Sequence, residues 1–252
     1  MKKLMIFGVV CLLVSGIAGN KVWAEEDLTA EFAKIEKLYD KISETEQSQK
    51  LQLMKQIVAI SDQLIKRYPE EPKVYWKAAS SYSNLAYYDI ENRLEILQQG
   101  REYAQKSIEL APDKGRGYYW RGTLMGQIGQ EKGIFASLSG IKPMRDNLKK
   151  AIKLEPDFAP AYNVLAQLYL KAPGWPVSIG DVDKALQYRK KSIDLNSKNC
   201  RYQWRLYKTY LEAGKKEQAD KVLDKVLKMT ENPENVTGDP VKIRKKAQAV
   251  IK

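Results

Sequence analysis

The sequence predicts an all-α solenoid, in which antiparallel helix pairs stack side by side and carry enlarged connections inside the pairs. Three observations carry this expectation. Apolar residues recur at helical spacing, as in Leu53, Ile57, Ile60 and Leu64. A period of 34 residues relates Ala185 to Ala219 and Ser192 to Val226. Pro69, Pro112, Pro156 and Ser197, each placed to close a pair, stand 43, 44 and 41 residues apart, which exceeds that period by 9, 10 and 7.

Residues 1–24 read as an export signal. Lys2 and Lys3 precede an apolar run from Leu4 to about Gly19, and Val22-Trp23-Ala24 offers a cleavage site after Ala24. The run is short for a membrane span, so a cleaved signal and a periplasmic location are expected over an uncleaved anchor. Cys11 lies inside the apolar run, where a lipidation site would not place it. Residues 25–71 form an N-terminal helical pair, 72–231 four helix pairs, and 232–252 a capping loop and basic helix, since solenoids need polar ends.

A 34-residue helix pair is the tetratricopeptide (TPR) unit. The stretch from Cys200 to Met229 carries its pattern in Leu206, Tyr210, Gly214, Ala219 and Leu223, with Tyr207 departing from the usual small residue. The longer units align at both ends, "VYWKAASSY" with "AQKSIELAPD" and "AYNVLAQLY" with "KKSIDLN". The extra residues therefore fall between the first and second helix of each pair, and in a stack such connections share one rim. The first, Tyr88 to Leu97, has no Pro or Gly and is expected to lengthen both helices. The second, "GQEKGIFASLSGIKP", has three glycines around apolar Ile134, Phe135 and Leu138. The third, "KAPGWPVSIGD" from Lys171 to Asp181, exposes Trp175, Val177 and Ile179 to water unless they cap the groove or meet a partner. Ala79, Gly122 and Ala166, with Gly100, Ala185 and Ala219, let adjacent helices approach closely.

The composition excludes several chemistries. There is no histidine, which rules out Ser-His-Asp and Cys-His catalysis. Once the signal is removed Cys200 is the only cysteine, so no intrachain disulfide forms. Losing Lys2, Lys3 and Lys21 lowers the net charge from +12 to +9. The basic residues alternate with acids along helix faces, which reads as solvated surface, with no nucleic-acid partner expected of an exported chain. No phosphate-binding Gly loop or metal-ligand spacing occurs, and no cofactor is expected. Asp181 and Asp183 are the one close carboxylate pair near the third connection, and Asp181 is expected to cap the next helix.

The inserts carry a more specific likeness. Gly133, Ser137, Leu138, Lys142 and Pro143 in the second, and Pro173, Gly174, Trp175, Ser178, Gly180 and Asp181 in the third, resemble the T-component of tripartite ATP-independent periplasmic (TRAP) transporters over Gly117 to Leu227. That resemblance implies a non-enzymatic helical protein. It would associate with a periplasmic solute-binding protein in uptake of small, apolar or organic-acid molecules. The alternative reading is a general scaffold for envelope protein assembly, and a homo-oligomer is compatible with either.

The first helix of each pair lines the concave face of a TPR stack. Aligning the pairs places Trp76, then Arg116 and Tyr119, then Asn163 and Gln167, then Trp204 and Lys208 along it. Aromatics mixed with cations and amides suit an extended peptide or an organic acid. One helical step would instead turn Trp76, Tyr119 and Trp204 into the core. Trp175 is either a plug folded over the helices or an exposed anchor for a partner.

Overall fold

The structure, a computed structural model, describes residues 26–42 and 45–251; the expected signal 1–24 lies outside them. The described residues form an all-α TPR solenoid. Helix α1 spans 26–42 and packs on α2, Gln47–Arg67. Four pairs follow: α3 Pro72–Leu85 with α4 Arg93–Leu110, α5 Gly115–Lys132 with α6 Ile134–Leu154, α7 Ala159–Lys171 with α8 Val182–Leu195, and α9 Cys200–Glu212 with α10 Lys216–Met229. A short 3-10 turn at Pro233–Asn235 leads to α11, Pro240–Ala249, which lies against α9 and α10.

Each helix packs chiefly on its neighbours in the chain, and the core is a relay of local clusters. Leu28, Phe32 and Ile35 of α1 meet Met54 and Ile57 of α2 and Val74 of α3. Ala79, Leu97, Ala104 and Leu124 join α3, α4 and α5. Leu148, Ala161, Leu165 and Ala185 join α6, α7 and α8, and Cys200, Ala219, Val226 and Ile243 close the far end. Small residues set the spacing. A methyl group on Gly100 would come within 2.9 Å of Tyr82 Cβ, and one on Gly122 within 3.2 Å of Asn147 Cβ.

The repeat has a polar signature at its joints. Tyr75, Tyr118 and Tyr162 each donate a hydroxyl hydrogen bond to the carbonyl of the proline six residues earlier, Pro69, Pro112 and Pro156, at 2.9, 3.2 and 2.9 Å. These bonds tie each new first helix to the turn that precedes it. The fourth pair breaks the series: Gln203 stands six residues after Ser197, is 1% exposed, and its Nε2 has no hydrogen-bond partner.

The connections differ from expectation in an instructive way. The first does not lengthen helices. Residues 86–92 leave the helix because Asp89, buried beside Lys55, accepts from the Asn92 backbone N–H at 3.3 Å and from Asn92 Nδ2 at 2.9 Å. Such local side-chain bonding competes with helix. The second is no loop. Gly133 alone, at φ +91°, turns α5 into α6. Gly126 and Gly129 lie inside α5, and a Cβ at Gly126 would sit 2.8 Å from Met144 Sδ. Gly126 faces α6 at close range, and both helices run long. The side chains of 134–137, including Ile134, Phe135 and Ser137, lie outside the described set. The third connection is a true loop. The Gly180 N–H bonds to the Pro173 carbonyl at 2.7 Å and the Asp181 N–H to the Tyr169 carbonyl at 2.9 Å. Asp181 Oδ1 then caps α8 through the Lys184 N–H at 2.9 Å.

Candidate functional site

The residues expected on the groove fall into three groups. The first is a stack at α3, α5 and the turn before α7. The Arg116 guanidinium lies 3.8 Å from the Phe158 ring centre and 5.7 Å from that of Trp76, while Lys77 lies 5.6 Å from Trp76 on α3 itself. Arg116 Nε also meets Glu155 at 2.6 Å. Trp76 is half-buried between two cations, an arrangement worth more as water is excluded. Tyr119 goes to the core side. It is 8% exposed and packs edge-on against Trp120 and Phe158, each with ring centres 4.9 Å apart. Burial pushes its hydroxyl up to about 12. The Thr123 hydroxyl approaches that phenol without reaching hydrogen-bond geometry.

The second group is organised by a residue that the reading of first helices missed. Arg189 comes from α8, a second helix, and is wholly buried. Its guanidinium donates to the Asn163 carbonyl at 3.0 Å, to Asn163 Oδ1, and to Gln167 Oε1 at 3.2 Å. Asn163 and Gln167 are therefore occupied in holding an arginine, and Asn163, 3% exposed, is no free amide on the groove wall. The signal was helical spacing: Arg189 stands four residues after Ala185 and three before Ser192, both of them fully buried. Its Nε has no partner. Burial and the charge of nearby Arg205 pull its ionisation down to about 9.

The third group lies on α9. Trp204 stacks on Tyr207 with ring centres 4.9 Å apart and is half-buried against the last cluster. Arg201 and Lys208 are exposed and Arg205 is half-buried. Tyr119 on α5 is within electrostatic reach of Tyr202 and Arg205 on α9, although α7 intervenes in the chain.

Trp175 belongs to none of these groups. It is 89% exposed, with Val177 69% exposed beside it, whereas Ala172 and Ile179 of the same loop pack on the core. The plug reading is corrected: the ring points to solvent, because the loop is closed by backbone bonds and not by burying its tryptophan.

Known proteins share both sequence and shape with this chain. Residues 32–171, more than half of the chain, match the family model described as regulator of microtubule dynamics protein 1-3. Regulator of microtubule dynamics protein 3 from Xenopus laevis is 23% identical over 145 residues, covering 57% of this chain and 30% of that protein. The chain therefore aligns with less than a third of that relative's length. A thermophilic TPR protein from Thermus thermophilus matches with a TM-score of 0.64 at 14% identity, over 88% of this chain and 98% of that one. MamA (residues 41 to the end) from Desulfovibrio magneticus matches with a TM-score of 0.50 at 15% identity, over 79% and 96%. These structural likenesses show the fold. The TRAP T-component resemblance is overturned: the matching family runs through α5, α6 and α7, where the likeness began, and nothing points to a transporter. The second insert that suggested it is a pair of long helices, not a distinctive loop. With it falls the expectation of a solute-binding protein as partner.

Proposed function

The chain belongs to the regulator of microtubule dynamics protein 1-3 family, and on that premise we propose that it is a non-catalytic scaffold that binds a partner protein along the concave face of α3, α5, α7 and α9. The observation that carries this reading is the line of aromatic and cationic side chains along that face: Trp76 between Lys77 and Arg116, then Arg201, Arg205 and Lys208. A groove that offers flat rings and charged tips at helical intervals suits an extended chain whose side chains alternate between apolar and charged contacts. Catalysis has little to draw on, since the chain lacks histidine.

Site-specific photo-crosslinking tests the proposal. A crosslinker at position 208 or 76 should capture partner protein, and one at exposed Lys149 on α6 should not. Capture from Lys149 alone would overturn it. Co-sedimentation with polymerised tubulin tests whether the partner is the one the family is named for. Export remains part of the proposal, supported by the Lys2-Lys3 start and the apolar run after it. Amino-terminal sequencing of the purified protein should begin at Glu25, and an intact Met1 would refute it.

A further inference from the structure

Arg189 raises a question that the fold does not answer. A wholly buried guanidinium is costly unless a counter-charge lies close by. Here the partners are neutral, a backbone carbonyl and two amides, and Nε has none. Arg205 is a cation within electrostatic reach of Arg189, and Arg201 is within reach of Arg205 on the same helix. Glu212, a carboxylate within electrostatic reach of Arg189, is bonded to Lys171 at 2.9 Å. Among the described residues no carboxylate pairs with Arg189, Arg201, Arg205 or Lys208, whereas Arg116 and Lys77 of the same groove have Glu155 and Glu36. The positive charge is thus concentrated at one end of the face and left unbalanced there.

We propose that the face of α9 carrying Arg201, Arg205 and Lys208, above the buried Arg189, is an anion subsite that takes the carboxylates of an extended acidic segment of a protein partner. The inference rests on the scaffold reading and specifies its partner. Arg189 is too deep to touch a ligand, so it contributes its field from below while Arg205 and Arg201 make the contacts. Spacing favours several carboxylates over one compact anion. Residues four apart on a helix are separated by about 6 Å along the axis. Alternate side chains of an extended chain recur every 6.6–6.8 Å or so, hence a chain running along α9 can set successive acids against Arg201 and Arg205. Guanidinium groups pair with carboxylates through two parallel hydrogen bonds, which orders such a segment.

The experiment uses the full chain and a fluorescein-labelled peptide that alternates Glu and Ser, with a Gln–Ser peptide of equal length as control. The acidic peptide should bind and the control should not. Arg205→Gln should weaken binding about tenfold or more, the loss typical of a close interfacial charge pair. Arg201→Gln, at an exposed position that cannot unfold the stack, should weaken it in the same direction, and Lys149→Gln, an equal change of charge on α6, should leave it unaltered. Equal binding of the Gln–Ser peptide, or indifference to both arginine variants, would overturn the inference while leaving the scaffold reading intact. So would full displacement by inorganic phosphate at matched charge, which would mean a site for one compact anion. Absence of binding by either peptide together with no crosslink from position 208 would remove the scaffold reading itself.

Discussion

Gly180 offers the sharpest test of how the third connection is built. An added Cβ there would lie 2.1 Å from the Ala172 carbonyl oxygen and 2.7 Å from the Pro173 carbonyl carbon. Both obstacles are backbone, so neither can swing aside. To admit a methyl group the loop must open by roughly an ångström, the gap between that approach and an ordinary contact, and the Gly180–Pro173 and Asp181–Tyr169 hydrogen bonds lie directly in the path of that movement. Overpacking costs about 1–3 kcal/mol, and each net hydrogen bond lost about 0.5–1.5 kcal/mol. Gly180→Ala should therefore destabilise by about 2–6 kcal/mol, which is roughly 4 °C or more in melting temperature for a chain of this size. Gly174 in the same loop is the control: its nearest neighbour would be the Gly180 oxygen at 3.9 Å, an ordinary contact. Gly174→Ala should stay within about 0.5 kcal/mol of the parent. Circular dichroism melts of the two variants decide the matter. If Gly180→Ala melts with the parent, or the two glycines behave alike, the loop is not closed as described.

Trp175→Ala, which removes a ring already in water, should move stability by less than about 0.5 kcal/mol in a denaturant titration; a larger loss would mean that the ring is buried in solution. Gly100→Ala forces a methyl against Tyr82 Cβ and Leu124 Cδ2 at 2.9 and 3.2 Å, and should cost about 1–3 kcal/mol in the same titration. The Asp181 carboxyl is held below its ordinary 3.8 by the Lys184 ammonium and then by the Lys184 backbone N–H. Because its folded value is depressed, its contribution is fully present above the unfolded value and is lost as pH falls through the folded one. The melting difference between the parent and Asp181→Asn should accordingly be largest near neutrality and vanish in acid; a difference that persists unchanged in acid would refute the charge as its source.

The repeat was legible because its markers are chemical and recur. Closing prolines follow from residue type and spacing, and so do the apolar stripes of α2 and α9; the tyrosines that bond to those prolines were not read from the sequence. The connections were legible in place but not in form. Glycine does not always mark a turn: Gly126 faces the Met144 thioether on the facing helix, a contact that exists only once α5 and α6 are packed. Asp89 and Asn92 end a helix through side-chain bonds that a search for Pro and Gly passes over. The groove was legible as a row of positions, of which Trp76 and Arg116 come together and Lys208 is exposed. What the row could not reveal is a contribution from the second helices. Arg189 reaches the face from behind, and the amides predicted to greet a ligand are holding it instead.

The chain's last turn doubles back on the fourth pair. Thr237 receives the Cys200 N–H at 3.0 Å and returns its own N–H to the Lys198 carbonyl at 2.9 Å, while the thiol points at the same Thr237 oxygen. Gly238 fits there because a methyl would strike Asn199 Oδ1 at 2.4 Å. This return stroke is a latch, and the sulfur sits behind it, covered completely and with burial pushing its ionisation up. The thiol is consequently shielded while the terminal module is shut, and a reagent can reach it only where that end of the stack opens.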